Sequence, residues 1–306
     1  MKNLTTTLFL ILVVGSCSNA IQAQNLNSWI EFSRSKEFFS ISMPKQPSET
    51  NQRARYGEIE ANGKHYESSA GGATYTLWTL VDTQHGSPRD ADEYLDACAE
   101  LIWEGLLKPA REKLPDELRA RATMTYVKEL PTKPLPGREY ELTIGNLNGS
   151  VQFFVADARL YILLAMNSPG GVWAREKFFE SFSTSPNLPA PRPQYGPGLP
   201  VTPVDPNDLN RVFSGREVTQ KARVLEKPEP VYTESARKFG VQGSVVLRAV
   251  FSREGEVTNL YMVRKLPHGL TQQAIKAARA IRFTPAMKDG QPVSMYMQLE
   301  YNFNLY

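Results

Sequence analysis

The chain is poor in the residues from which reactive sites are built. Across 306 residues it has 2 cysteines and 3 histidines. His65, His85 and His268 are scattered without metal-ligand spacing, and no HExxH, P-loop, GxGxxG or nucleophile-elbow pattern occurs. Ser33-Arg34-Ser35-Lys36 has a Ser-x-x-Lys spacing, but the Ser-Asp-Asn and Lys-Thr-Gly companions of a nucleophile site are missing. Asp90, Asp92, Glu93 and Asp96 lack the glycine turn of a calcium loop and fit a helix start instead. No catalytic group, metal or cofactor is therefore expected. Aromatic residues do not interleave with a dense basic patch, which argues against nucleic acid.

Long apolar runs are also missing. Leu8 to Val14 is unbroken, but it falls far short of the roughly 20 residues of a membrane-spanning helix. With Lys2 before it and small residues after it, residues 1–23 read as a secretion signal. Two processing readings stay open. Val14-Gly15-Ser16-Cys17 resembles a lipobox, after which Cys17 would be lipidated, and Ile21-Gln22-Ala23 fits conventional cleavage. Either way the expected place is the periplasm or cell envelope, soluble or lipid-anchored. Cys98, in Leu95-x-x-Cys98-x-x-Leu101, sits at helical core spacing and reads as a buried, inert thiol. With Cys17 in the targeting segment, no structural disulfide is expected.

A hydrophobic share of 41% and a charged share of 22% exclude wholesale disorder and a multispanning protein. Net charge is +3, but residues 216–306 hold 14 Lys/Arg against 8 Asp/Glu, so the basic charge gathers at the end.

Residues 28–185 read as one α+β domain. Phe39 to Pro44 and Tyr75 to Val81 alternate as strands. Ser87-Pro88-Arg89-Asp90 opens a helix whose apolar stripe is Tyr94, Leu95, Cys98, Leu101, Ile102 and Leu106. Strands come next at 137–145, 149–156 and 159–167, with Asn148-Gly149 as the expected hairpin turn and Asp157-Ala158 as a tight link. A helix from Trp173 to Phe182 closes the domain. Phe39-Ser40-Ile41-x-Met43-Pro44, Gly137-Arg138-Glu139, Arg159-Leu160-Tyr161 and Phe178-Phe179-x-Ser181-Phe182 give this region a diffuse similarity to PsbP-like domains. That resemblance implies an antiparallel sheet flanked by helices.

Residues 186–206 then carry 8 prolines with no surviving apolar period. The stretch 186–221 reads as an extended linker, reaching about 100 Å at roughly 3 Å per residue.

Residues 222–306 form a second, smaller domain. Tyr232 to Phe239 is a short helix ending at Gly240. Val245, Leu247, Ala249 and Phe251 alternate on a strand, and a turn at Gly255 leads to a second strand from Val257 to Arg264. Leu270, Ala274, Ala277, Ala278 and Ile281 mark an amphipathic helix over 269–281. Ser294 to Leu305 alternates as a final strand. The economical arrangement is a three-stranded antiparallel sheet with the helices on one face.

Lys227-Pro228-Glu229-Pro230-Val231-Tyr232, Gly243, Gly255 and Arg282-Phe283-Thr284-Pro285 give this domain a resemblance to the TonB C-terminal domain family. Two positions depart from the family pattern: Ile281 stands for the usual tryptophan and Thr233 for the usual proline. The resemblance implies an energy-transducer-like, non-enzymatic domain that binds an extended peptide, such as the TonB-box segment of an outer-membrane TonB-dependent transporter. It implies Ser294, Met295, Tyr296, Met297, Gln298, Leu299, Glu300, Tyr301 and Asn302 as the peptide-binding edge, with Glu229, Pro230 and Tyr232 beside it. Because the chain ends with the final strand, its outer edge is expected to stand uncovered, ready to accept a strand. A short signal and then a folded domain, in place of a motor-engaging membrane helix, argue against coupling to an ExbB–ExbD motor. The alternative reading is a structural or assembly protein that dimerises through the same domain.

Overall fold

A computed structural model describes residues 29–57, 59–83, 91–130, 135–156, 158–167, 174–185 and 211–305. The targeting segment with Cys17, the expected helix start at 87–90, Asp157, Trp173 and the proline-rich stretch to residue 210 lie outside the described residues. The chain divides into two compact units, Met1–Pro193 and Gln194–Tyr306. Among the described residues no helix is long and apolar enough to cross a membrane.

In the first unit the strands are β1 (Ile30–Arg34), β2 (Phe39–Met43), β3 (Ser48–Tyr56), β4 (Ile59–Ala70), β5 (Ala73–Asp82), β6 (Thr123–Leu130), β7 (Gly137–Ile144), β8 (Leu147–Ala156), β9 (Arg159–Asn167) and β10 (Ser183–Thr184). The helices are α1 (Ala91–Glu100), α2 (Lys108–Glu112), α3 (Asp116–Arg119) and α4 (Arg175–Glu180). A wide π turn, Leu101–Leu106, continues α1. Seven strands form one antiparallel sheet in the order β3-β4-β5-β9-β8-β7-β6.

One face of this sheet presents Tyr66, Tyr75, Leu77, Tyr161 and Leu163. It packs on Phe32, Phe39, Ile41 and Met43 of the small sheet β1-β2-β10 and on Phe178 of α4. Strand alternation sends the buried Trp78, Leu80, Ile162 and Leu164 to the opposite face. Helix α1 is tied to the large sheet by Tyr94 Oη donating to Asp82 at 3.3 Å and by Arg138 donating to Asp96 at 2.5 Å. Cys98 is fully buried on α1. The expected layout is thus corrected on one flank, which holds a second sheet as well as a helix.

The hairpin between β7 and β8 also differs from expectation. Ile144 pairs with Leu147, so Gly145 and Asn146 make the turn, with Gly145 at φ 63°. Asn148 and Gly149 lie inside β8 instead. A Cβ on Gly149 would collide with the Ala165 carbonyl and the Met166 sulfur of β9, so glycine serves close strand contact there.

Burial pushes up the phenols of Tyr66, Tyr126, Tyr140 and Tyr161, the last to about 12. A raised folded pKa contributes stability that is intact below the unfolded value near 10 and is lost as pH climbs through the folded value. The first unit is therefore expected to keep full tyrosine-linked stability at neutral pH and to weaken between about pH 10 and 12. Tyrosinate absorbance should rise together with loss of the fold. Ionisation of all 13 tyrosines near pH 10 with the fold intact would contradict this.

The second unit contains β11 (Val212–Phe213), β12 (Arg223–Glu226), α5 (Glu234–Lys238), β13 (Gly243–Phe251), β14 (Val257–Arg264), α6 (Leu270–Arg279), β15 (Arg282–Thr284), β16 (Ala286–Lys288) and β17 (Gln291–Phe303). The main sheet runs β11-β17-β13-β14, with β16 also paired to β17, and β12 pairs separately with β15. The expected three antiparallel strands, β13, β14 and β17, are present. The sheet is larger than expected and not wholly antiparallel, because β11 joins it in parallel. The expected linker likewise ends too late at 221, since Phe213 is fully buried in this unit.

Helix α6 buries Leu270, Ala274, Ala277 and Ala278, as its periodicity requires. Phe283 packs against Phe251 with ring centres 4.2 Å apart and planes tilted by 39°, and the buried Ile281 lies just before β15. Gly255 closes the β13–β14 turn at φ 89°, a conformation that side chains resist.

Candidate strand-addition site

β17 is the longest strand of the second unit, and its inner side is fully used. Nine consecutive residue pairs, Gly243↔Phe303 through Phe251↔Met295, join it to β13 without a register shift. Its alternation on the buried side is interrupted only at Met297, which is half-buried: Val293, Met295, Leu299, Tyr301 and Phe303 are buried, while Tyr296, Gln298, Glu300 and Asn302 are exposed.

The outer side is where sequence and structure part. Val212 and Phe213 of β11 run parallel to Ser294 and Met295. Ala286–Lys288 of β16 pairs with Gln291–Val293, before the expected edge begins. At the far end the Lys227 ammonium donates to the Glu300 carbonyl at 2.6 Å and sits 4.4 Å from the Tyr301 ring centre. Among the described residues, the stretch left open between these contacts is Tyr296–Leu299. The expected edge Ser294–Asn302 is thus covered at both ends, by residues that precede it in the chain.

Lys227 identifies the groups that face outward. The Glu300 carbonyl points away from β13, and the alternation of an antiparallel ladder places the N–H and C=O of Tyr296 and Gln298 on that same side. Met297 and Leu299 point theirs at β13. The open stretch therefore offers the main-chain groups of Tyr296 and Gln298.

Glu229, Pro230 and Tyr232 lie beside the covered end. The Tyr232 ring meets Phe303 edge-on at 5.7 Å, and its hydroxyl donates to the Val241 carbonyl. Burial pushes up the Tyr301 phenol to about 12, and the Glu229 carboxylate adds to the shift. Thr233 takes over the start of α5. Its hydroxyl accepts from Ala236 N at 3.1 Å and donates to the His268 carbonyl at 2.6 Å. Thr233→Ala is expected to cost about 1–2 kcal/mol, read as a lower melting temperature by circular dichroism. An unchanged melt would show that the cap contributes nothing.

The motif residues hold the scaffold. Gly243 opens β13 opposite Phe303, where a Cβ would come within 3.3 Å of Leu266. Arg282 reaches Glu226 at 3.4 Å on the surface, and Pro285 separates β15 from β16.

The sheet has a second edge at β14. Its pairing with β13 is broken by register shifts between Val246 and Leu247 and between Arg248 and Val250, and Asn259 adopts φ 46°. Such irregularities turn an edge away from incoming strands. Tyr261 and Val263 nonetheless stand 68% and 57% exposed there. Among the described residues no cluster of His, Cys, Asp or Glu could hold a metal ion.

No curated protein matches the chain. Among solved structures, the solution structure of the Pseudomonas aeruginosa TonB CTD is similar at 18% identity and a TM-score of 0.26, over 31% of this chain and 96% of that one. The solution structure of cyanobacterial PsbP from Synechocystis sp. PCC 6803 is similar at 10% identity and a TM-score of 0.33, over 56% of this chain and 98% of that one. Residues 228–305, which hold α5, β13, β14, α6 and β17, match the family model of the Gram-negative bacterial TonB protein C-terminal.

Proposed function

We propose that this is an exported bacterial envelope protein whose C-terminal domain binds an extended peptide by strand addition to the outer edge of β17. The observation that carries this reading is the unbroken β13–β17 ladder, beside which no strand among the described residues pairs with the outward main-chain groups of Tyr296 and Gln298. A peptide laid there gains main-chain hydrogen bonds at every second residue. The TonB-like character of residues 228–305 supports a TonB-box segment of an outer-membrane transporter as the partner. In this reading the protein is not an enzyme, and it works in the periplasm, with residues 28–185 as an anchor or second binding surface. Lipidation at Cys17 would hold it at a membrane. Titrating a synthetic TonB-box peptide into the full chain tests the proposal: saturable binding that Gln298→Pro weakens at least 5-fold supports it, and equal binding by that variant refutes it.

The exposed Tyr261 and Val263 on β14 favour a second reading, homodimerisation through that edge in a structural or assembly role. Sedimentation decides: a strictly monomeric protein at high concentration eliminates it.

A further inference from the structure

Residues 211–227 form a strap along the same edge, ahead of the residues that match the family model. The strap touches β17 at Ser294–Met295 through β11 and at Glu300–Tyr301 through Lys227. Phe213 is its deepest point, fully buried, with the Arg211 guanidinium 4.0 Å from its ring centre and the Lys288 ammonium 5.7 Å away. Glu217 ties the loop after β11. It pairs with Arg211 at 2.7 Å and accepts from Ser214 N at 2.8 Å. Thr219 N and Gln220 N then donate to the Met287 carbonyl at 2.9 and 3.0 Å.

The stretch left between the two contacts, Tyr296–Leu299, spans only about 13 Å at 3.3 Å per residue. A usual strand has five or six residues. An incoming strand of ordinary length must therefore take the place of one end of the strap. β11 is the end fit to yield. It pairs through two residues only, whereas the segment behind it is held by the Met287 contacts and by β12 on β15.

We infer that Val212-Phe213 is an internal competitor for the β17 edge, occupying the register that an incoming strand must take over. This rests on the reading of that edge as the docking strand. The internal segment also specifies what replaces it: a strand parallel to β17 that places an aromatic or large aliphatic side chain opposite Met295. Lys288 and Lys227 beside the edge favour acidic residues next to that side chain.

Weakening the competitor raises the share of chains with an open edge, and the apparent affinity rises by the same factor. Phe213→Ser removes the buried anchor, so binding of a TonB-box peptide is expected to tighten about 10- to 100-fold. Glu217→Ala, at an exposed position outside the core, is expected to tighten it several-fold and guards against a folding defect in the first variant. The second arm is a peptide of residues 211–217, Arg-Val-Phe-Ser-Gly-Arg-Glu. It is expected to bind full-length Phe213→Ser measurably and to bind the wild-type chain at least 10-fold more weakly. TonB-box binding of equal strength to wild type and both variants, with no binding of the 211–217 peptide, overturns the competitor and leaves the docking edge standing. Absence of binding by either peptide to any of the three proteins overturns both.

Discussion

Gln298→Pro is expected to weaken peptide binding at least 5-fold while the C-terminal unit stays folded. Proline removes one N–H and fixes φ near −65°. At Gln298 the lost N–H faces outward, so the β13 ladder keeps its bonds, and proline is tolerated where its missing donor faces solvent. A docked strand loses one hydrogen bond and is left with an unpaired carbonyl, about 1–3 kcal/mol in all, which is roughly 5- to 150-fold in affinity. Met297→Pro is the contrasting case. Its N–H faces β13 opposite Ala249, in the middle of the ladder, so that variant is expected to unfold the unit. Calorimetric titration and circular dichroism on the two variants separate binding from folding. Loss of the fold in Gln298→Pro with a folded Met297→Pro would show that the outward groups were assigned to the wrong residues.

The second large effect is expected in the other unit. Arg138 on β7 is 1% exposed, donates to Asp96 of α1 at 2.5 Å and to Glu129 of β6 at 2.7 Å, and so joins a helix to two strands. Burial pushes the Glu129 carboxyl up, and Arg138 opposes that shift. Arg138→Met leaves two carboxylates facing an apolar side chain. Removing one partner of a buried ion pair costs about 3–5 kcal/mol, and here the lower end applies because both carboxylates keep some contact with water. All four tryptophans, at positions 29, 78, 103 and 173, precede the linker. Urea unfolding monitored by tryptophan fluorescence therefore reads the N-terminal unit within the full chain. Adding Asp96→Leu and Glu129→Leu to Arg138→Met is expected to recover much of the loss, because well-packed apolar replacements of buried ion networks are often neutral. A single variant within about 0.5 kcal/mol of wild type would show the network to be dispensable.

The elements legible in the sequence are those buried on one side. Helix α6 was expected over 269–281 and is observed at Leu270–Arg279, because its alanines and Leu270 recur at helical spacing against one face. β17 declares itself by its alternation, and β13 by Val245, Leu247, Ala249 and Phe251 at every second position, although Val246 and Val250 are buried as well. β3 was missed: Ser48–Tyr56 buries only Ala54, so as the polar outer strand of its sheet it shows no apolar period. β11 was missed for a related reason. Two residues give no period, and only the fold brings Phe213 to Met295. The edge of β17 reads as uncovered when only the chain's end is considered, while its cover comes from residues earlier in the chain. The Asn148-Gly149 turn failed because glycine has two uses, and inside β8 it serves close packing on β9.

The most direct test of strand addition is amide hydrogen exchange across β17 with and without a bound TonB-box peptide. The amides of Tyr296 and Gln298 are predicted to gain protection, while those of Met297 and Leu299, already bonded to β13, change little. Protection that appears instead along Val257–Arg264 of β14, or nowhere in the C-terminal unit, would contradict β17 as the docking edge.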